Sequence, residues 1–214
     1  MINFVIAFDN QNSELGQYFE DCKNDIVSIL DEQSYLVKSS SQIASNRCNL
    51  AYIDISIPQI NSNPFVFIAY THGIEDCLRC NGASFVSIDN SHHFKNSLFY
   101  STACFIGRKL APKLINNGCK TFIGFNDESK VLFENPVYKK AFIDSDNFAI
   151  KMFITSDVTI GQAFEAMKNH YSNKIYRAVE LGEDPIFIGI LEANKEALIC
   201  LGDKNLKKED LFIY

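Results

Sequence analysis

A histidine and a cysteine each close an apolar run in this chain. Phe65-Val66-Phe67-Ile68-Ala69-Tyr70-Thr71 leads into His72, and Leu98-Phe99-Tyr100-Ser101-Thr102-Ala103 leads into Cys104. A thiol with a nearby imidazole to carry its proton is the requirement for nucleophilic catalysis by cysteine. Runs of this length and β-rich composition read as buried strands of a parallel sheet, and Pro64 and Gly73 bound the first of them. In open α/β sheets ligands bind at the carboxyl ends of strands, so two such ends can share one crevice. The second run is followed by Gly107 and by a helical stretch from Arg108 to Ile115, which predicts a strand-to-helix turn at Cys104. An ordinary thiol titrates near ~8.5, and a helix amino terminus and a neighbouring imidazolium would both lower it. Gly73 lacks a β-carbon, so a carbonyl oxygen can approach its backbone N–H; the N–H groups of Gly73 and Cys104 are the expected oxyanion hole. The bland alternative is a buried strand-end thiol and a satisfied core histidine. Pattern alone leaves both open, because it does not show that two residues meet in space.

The flanking elements must present these two ends. Ile2 to Phe8 reads as the first strand, and Leu15, Tyr18, Phe19, Cys22, Ile26, Ile29 and Leu30 recur at helical spacing after it. Ser34 to Val37 is expected to be a short strand. Cys48 to Ile57 fits both periods, and the helix reading, ended by Pro58, is preferred. Within Glu75 to Ile88, Asn81-Gly82 is the strongest hairpin signal in the chain. Lys120 to Phe125 is a further buried strand. Thr159-Ile160-Gly161-Gln162 has the form of a capping box opening a helix to about Ile175. Ile186 to Leu191 and Ala197 to Leu201 are expected to be strands around a polar turn. Strand and helix alternate, so the expected architecture is an α/β sandwich with a mainly parallel sheet.

Composition narrows the classes. With 214 residues, 47% of them hydrophobic, the chain can bury a sizeable core, and residues 1–214 are read as one domain. The 26 acidic and 20 basic residues give a net charge of −6 with Lys and Arg scattered, which leaves no electrostatic footprint for nucleic acid. The first residues carry no basic leader and no span long enough for a membrane, so a cytoplasmic location is expected. Seven cysteines without a secretion signal do not suggest a disulfide framework. Cys77-Leu78-Arg79-Cys80 followed by His92-His93 could in principle surround zinc, yet adjacent histidines diverge and the spacing is not that of a finger. These are read instead as hairpin thiols, and no metal or organic cofactor is expected.

The ordered set of motifs resembles the caspase-like clan of cysteine peptidases, and within it the CHAT domains more than gingipains or separases. It comprises Thr71-His72-Gly73, then Ser101-Thr102-Ala103-Cys104 with Gly107, then Leu114-Ile115-Asn116-Asn117-Gly118 leading into a strand. Thr159-Ile160-Gly161-Gln162-Ala163-Phe164 and Leu201-Gly202-Asp203 complete it. The match covers roughly residues 60 to 205. It implies a three-layer α/β/α sandwich with an added hairpin and a cysteine endopeptidase acting on a protein or peptide substrate. It also implies a bacterial regulatory or defence setting with a separately encoded activating protein. His72 and Cys104 would be the catalytic dyad, working through a thioester. The alternative is a catalytically silent interaction module of the same fold. Many CHAT domains place an acidic residue directly after the Ala-Cys pair, where this chain has Phe105. Asp9 after the first strand, and Asp127 with Glu128 after a later one, are the candidate S1 carboxylates. They would favour Arg or Lys at P1, with turn capping as the plainer role for Asp9.

Overall fold

The computed structural model describes residues 1–213. Strands β1 (Ile2–Phe8), β2 (Val37–Ala44), β3 (Phe65–Tyr70), β7 (Ser97–Ser101), β8 (Thr121–Phe125) and β9 (Leu198–Gly202) form one sheet in the order β2-β1-β3-β7-β8-β9. All neighbours run parallel except β9, which pairs antiparallel with β8. Every residue of β1, β3, β7 and β8 is buried, as expected for central strands covered on both faces.

Successive side chains on these strands point to opposite faces and found two cores. Phe4, Ile6, Val66, Ile68, Leu98 and Tyr100 pack against α1 (Gly16–Glu32), α4 (Pro136–Asp146), α5 (Phe148–Thr155), α6 (Ile160–Leu181) and α7 (Pro185–Ala197). Val5, Ala7, Phe65, Phe67, Phe99 and Phe122 face α2 (Leu50–Ser56), α3 (Leu110–Asn116) and a small second sheet. That sheet is β4 (His72–Ile74), β5 (Cys77–Cys80) and β6 (Ala83–Ser87), all antiparallel. Asn81 and Gly82 turn β5 into β6 with φ of 50° and 78°, the left-handed pair that a two-residue hairpin requires. The α/β/α layering with a hairpin is thus the architecture the sequence predicts.

Four local expectations are corrected. Ser34–Leu36 is a 3-10 turn, and the second strand starts at Val37. Its core, Lys-Ser-Ser-Ser-Gln, is exposed at the sheet edge, so it carries no apolar alternation to read. Ile186–Leu191 lies within helix α7, whose start is fixed by the Asp184 side chain accepting from the Ile186 N–H and by Pro185 in the first turn. Buried Phe187, Leu191 and Asn194 recur at helical spacing there, and the expected polar turn at Glu192–Lys195 is part of the same helix. Helices α4 and α5 were not expected from the sequence. The capping box at Thr159 and Gln162 forms as read, although the helix runs on to Leu181 and ends on Gly182 at φ 66°. Among the described residues no helix is long and apolar enough to cross a membrane.

Candidate active site

Parallel pairing of β3 with β7 sets Ala69 opposite Ser101, so His72 and Cys104 both follow a matched pair by the same number of residues. The ladder extends one step further through Thr102 N–H donating to the Ala69 carbonyl at 3.2 Å. Gly73 then lies against the backbone of the cysteine segment. A β-carbon on Gly73 would sit 2.7 Å from the Cys104 carbonyl oxygen, 2.7 Å from Ile106 Cγ2 and 2.9 Å from the Ala103 β-carbon. Glycine is therefore required here by packing, in addition to any role of its N–H. His72 and Cys104, both half-buried, line one small cavity of about 30 Å³ with Tyr18, Thr102, Ser129 and Asp146. Phe19 of α1 packs against the His72 ring in a T-shaped pair, 5.4 Å between centroids and 82° between planes.

The thiol is not at a helix terminus. Cys104 is the third residue after β7, and α3 begins only at Leu110. Burial pushes the Cys104 thiol up, and the backbone of Ser129 opposes this only in part. The Ser129 N–H donates to Sγ at 3.3 Å, and Sγ lies 3.5 Å from the Ser129 carbonyl oxygen. The sequence expectation of a thiol lowered by a helix amino terminus is thus corrected. Among the described residues the Cys104 backbone N–H meets no acceptor on another residue.

The segment after β8 forms a strap over this thiol. Phe105, at φ 63°, turns its N–H to the Asp127 carbonyl at 3.1 Å. Arg108 lies over the Phe105 ring and bonds the Asn126 carbonyl at 2.8 Å, Glu75 at 3.2 Å and Asp127 at 3.2 Å. One exposed guanidinium thereby ties the loop after β4, the cysteine segment and the strap together. Fully buried Asn194 of α7 holds the far end, accepting from the Lys130 N–H at 3.0 Å and donating to its carbonyl at 2.7 Å.

The other expected site residues lie elsewhere. Asp9 is completely buried, with Oδ1 accepting from Ser45 Oγ at 2.7 Å and Oδ2 from the Asn81 N–H at 3.3 Å. This is a capping role between the β1 loop and the hairpin tip. Asp127 points to solvent in its pair with Arg108. Neither carboxylate lines the His72 and Cys104 cavity. Cys77 accepts from Ser84 Oγ at 3.1 Å, Cys80 sits against the Ser45 carbonyl, and the His92 and His93 rings lie tilted against each other with centroids 4.1 Å apart. Among the described residues these four are not brought together as a ligand set. His170 is stacked on Phe148 at 4.3 Å with a buried, unpartnered Nε2. The residues that sequence reasoning missed at the cavity are Thr102, Ser129 and Asp146. Asp146 is an acid set within the apolar pattern of α4 and α5, the one signal that could have drawn attention to it.

No protein-family model matches this chain, and no curated protein does. Two solved structures of gingipain R from Porphyromonas gingivalis do resemble it. The complex of the RgpB pro- and mature domains aligns with TM-score 0.64 at 13% identity, covering 96% of this chain and 48% of that one. The Arg-specific cysteine proteinase gingipain R aligns with TM-score 0.63 at 13% identity, covering 96% and 47%. The chain therefore spans about half the length of these neighbours. Over nearly its whole length it has the caspase-like fold of gingipain R, a mainly parallel sheet flanked by helices on both faces.

Proposed function

We propose that the protein is a cysteine endopeptidase in which His72 and Cys104 form the dyad. The observation that carries this reading is the delivery of both side chains, by adjacent parallel strands in register, into one cavity at the carboxyl end of the sheet. The fold shared with a cysteine proteinase supports it. His72 takes the thiol proton, and Cys104 Sγ attacks the scissile carbonyl. The N–H groups of Cys104 and Gly73 hold the oxyanion, and His72 returns the proton to the leaving amine. Water then hydrolyses the thioester.

The cavity is too small to admit a peptide side chain, and the Ser129 backbone occupies the approach to Sγ. Substrate entry on this reading requires the strap to move, which fits control by a separate activating protein in a bacterial regulatory or defence system. The same closed thiol favours a second reading, an interaction module without turnover. A fluorogenic peptide library, assayed with the wild type and with Cys104→Ala and His72→Ala, separates the two. Turnover lost in both variants supports the dyad, and turnover surviving Cys104→Ala refutes it. Wild-type protein that cleaves nothing and whose Cys104 resists alkylation at pH 6 to 7 supports the module.

A further inference from the structure

The groove between α4 and α6 is apolar at one end and positively charged at the other. Val137, Lys140, Ala141 and Asp144 recur at helical spacing on α4, and Lys174, Arg177, Ala178 and Leu181 do so on α6. These two facing stripes line an open trough of about 440 Å³. Asp144 meets Lys174 at 3.8 Å at one end, and at the other the Tyr138 hydroxyl donates to Glu183, just past α6, at 2.8 Å. The helices therefore pass in opposite directions, with the start of α4 beside the end of α6. Buried Ala141 and Ala178 are small enough to leave the trough open, and the Tyr138 ring, stacked on Phe187 of α7 at 4.0 Å, walls it. Its lips at this end are Val137 and Leu181, 69% and 76% exposed. Apolar side chains gathered in water around such a trough mark an interaction surface. At the charged end Lys140 and Lys174 share Asp144, at 2.9 and 3.8 Å. Arg177 is exposed and forms no ion pair among the described residues. Three cations thus meet one carboxylate there, in a chain whose net charge is −6.

We infer that this groove is a docking site for an amphipathic, acidic helix of a partner protein. Its apolar anchors lie between Val137 and Leu181 over the two alanines, and its Asp or Glu residues reach Arg177 and Lys174. A helix suits the trough because its apolar residues recur at the same spacing as the two stripes that receive them. The acid follows from the excess of cations at one end. An acidic helix is repelled by most of this acidic chain, so the local positive charge selects the face on which it lands. The groove shares no lining residue with the His72 and Cys104 cavity, and the inference does not rest on the dyad reading.

The test pans a phage-displayed library of random peptides of about 16 residues, long enough to form a helix, on the immobilised full chain. The double variant Arg177→Glu, Leu181→Glu is added in solution and in excess, so that phage bound elsewhere on the chain is removed. Enriched peptides are expected to carry apolar residues at helical spacing together with Asp or Glu. One such peptide, made with a fluorophore and titrated by anisotropy, should lose about tenfold in affinity on Leu181→Glu and on Arg177→Glu singly, and as much when its own acids are replaced by Lys. Val137→Glu, at an exposed position on the opposite lip, supplies the same measurement if the Leu181 variant does not fold. No enriched peptide, or one whose affinity these substitutions leave unchanged, overturns the proposal. Enriched peptides without acids overturn it as well, and so does a dimer of the chain, seen by sedimentation, that Leu181→Glu dissociates. Absence of peptide turnover would bear on the dyad reading alone, because anisotropy reads binding.

Discussion

Substitution of Gly73 by alanine tests whether the backbone contact, and not the side chains, sets the spacing of the candidate dyad. The added β-carbon would lie 2.7 Å from the Cys104 carbonyl oxygen and from Ile106 Cγ2, and 2.9 Å from the Ala103 β-carbon. Ordinary contact lies at about 3.4 Å or more, so the β4 start and the cysteine segment must separate by roughly 0.7 Å. Neither side can yield cheaply, since Ala103 and Ile106 are 1% and 0% exposed and the Cys104 oxygen belongs to the main chain. Overpacking of this kind costs about 1–3 kcal/mol. At about 2–4 °C per kcal/mol for a chain of this size, Tm should fall by about 2–12 °C, read by differential scanning fluorimetry. Misplacement approaching ~1 Å should reduce peptide turnover by as much as 100-fold. The rate of Cys104 alkylation should change as well, because Sγ moves relative to Ser129. A Gly73→Ala protein with wild-type Tm and wild-type alkylation kinetics would refute the claim that this contact is tight.

Asn194→Ala removes both anchors of the strap at Lys130; Tm should fall by about 2–6 °C, and Cys104 should alkylate faster under non-denaturing conditions. Arg108→Ala should accelerate the same alkylation with a smaller change in Tm, because its ion pairs are solvent-exposed and the difference should shrink in high salt. His170 is held neutral, its midpoint lowered to about 4 by burial, against 6.5 when free. The unfolded chain therefore binds the extra proton first, and stability should be lost as pH falls from about 6.5 towards 4. His170→Phe, which keeps the stack on Phe148, should flatten that acid limb in a Tm-against-pH series. An unaltered slope would remove His170 from the account.

Most of what positions the site could be read from residue types. The apolar run of β3 is uninterrupted and bounded by Pro64 and Gly73, β7 carries a shorter run of Leu98-Phe99-Tyr100, and the Asn81-Gly82 hairpin follows from the left-handed conformation those two residues tolerate. The alternation of Phe4 and Val5, or of Phe67 and Ile68, between two cores follows from the strand period. What escaped reading had weak or misleading local signals. Ile-Phe-Ile-Gly-Ile-Leu in α7 is as apolar as a strand, and its helical state is decided by Asp184 and Pro185 at the start and by one buried face. The strap escaped because it acts through main-chain groups of Ser129 and Asp127, which any residue supplies. Asp146 escaped because its meaning lies in Tyr18 and Tyr171, distant in sequence and joined to it only by folding.

That the surroundings of the Cys104 thiol are so largely peptide backbone bears on how such a chain can change over evolutionary time. The Ser129 N–H and carbonyl on the thiol, the Asp127 carbonyl on Phe105 and the Cys104 carbonyl against Gly73 constrain chain path and leave most side-chain identities free. Lineages descending from a common ancestor could replace nearly every residue of the strap and still close the same cavity. The fold shared with gingipain R across nearly the whole chain at 13% identity shows that this chain path tolerates replacement of most side chains. Homologues of this chain would then be found more readily by testing whether a candidate can place a glycine against the peptide that carries its cysteine than by scoring the letters in between.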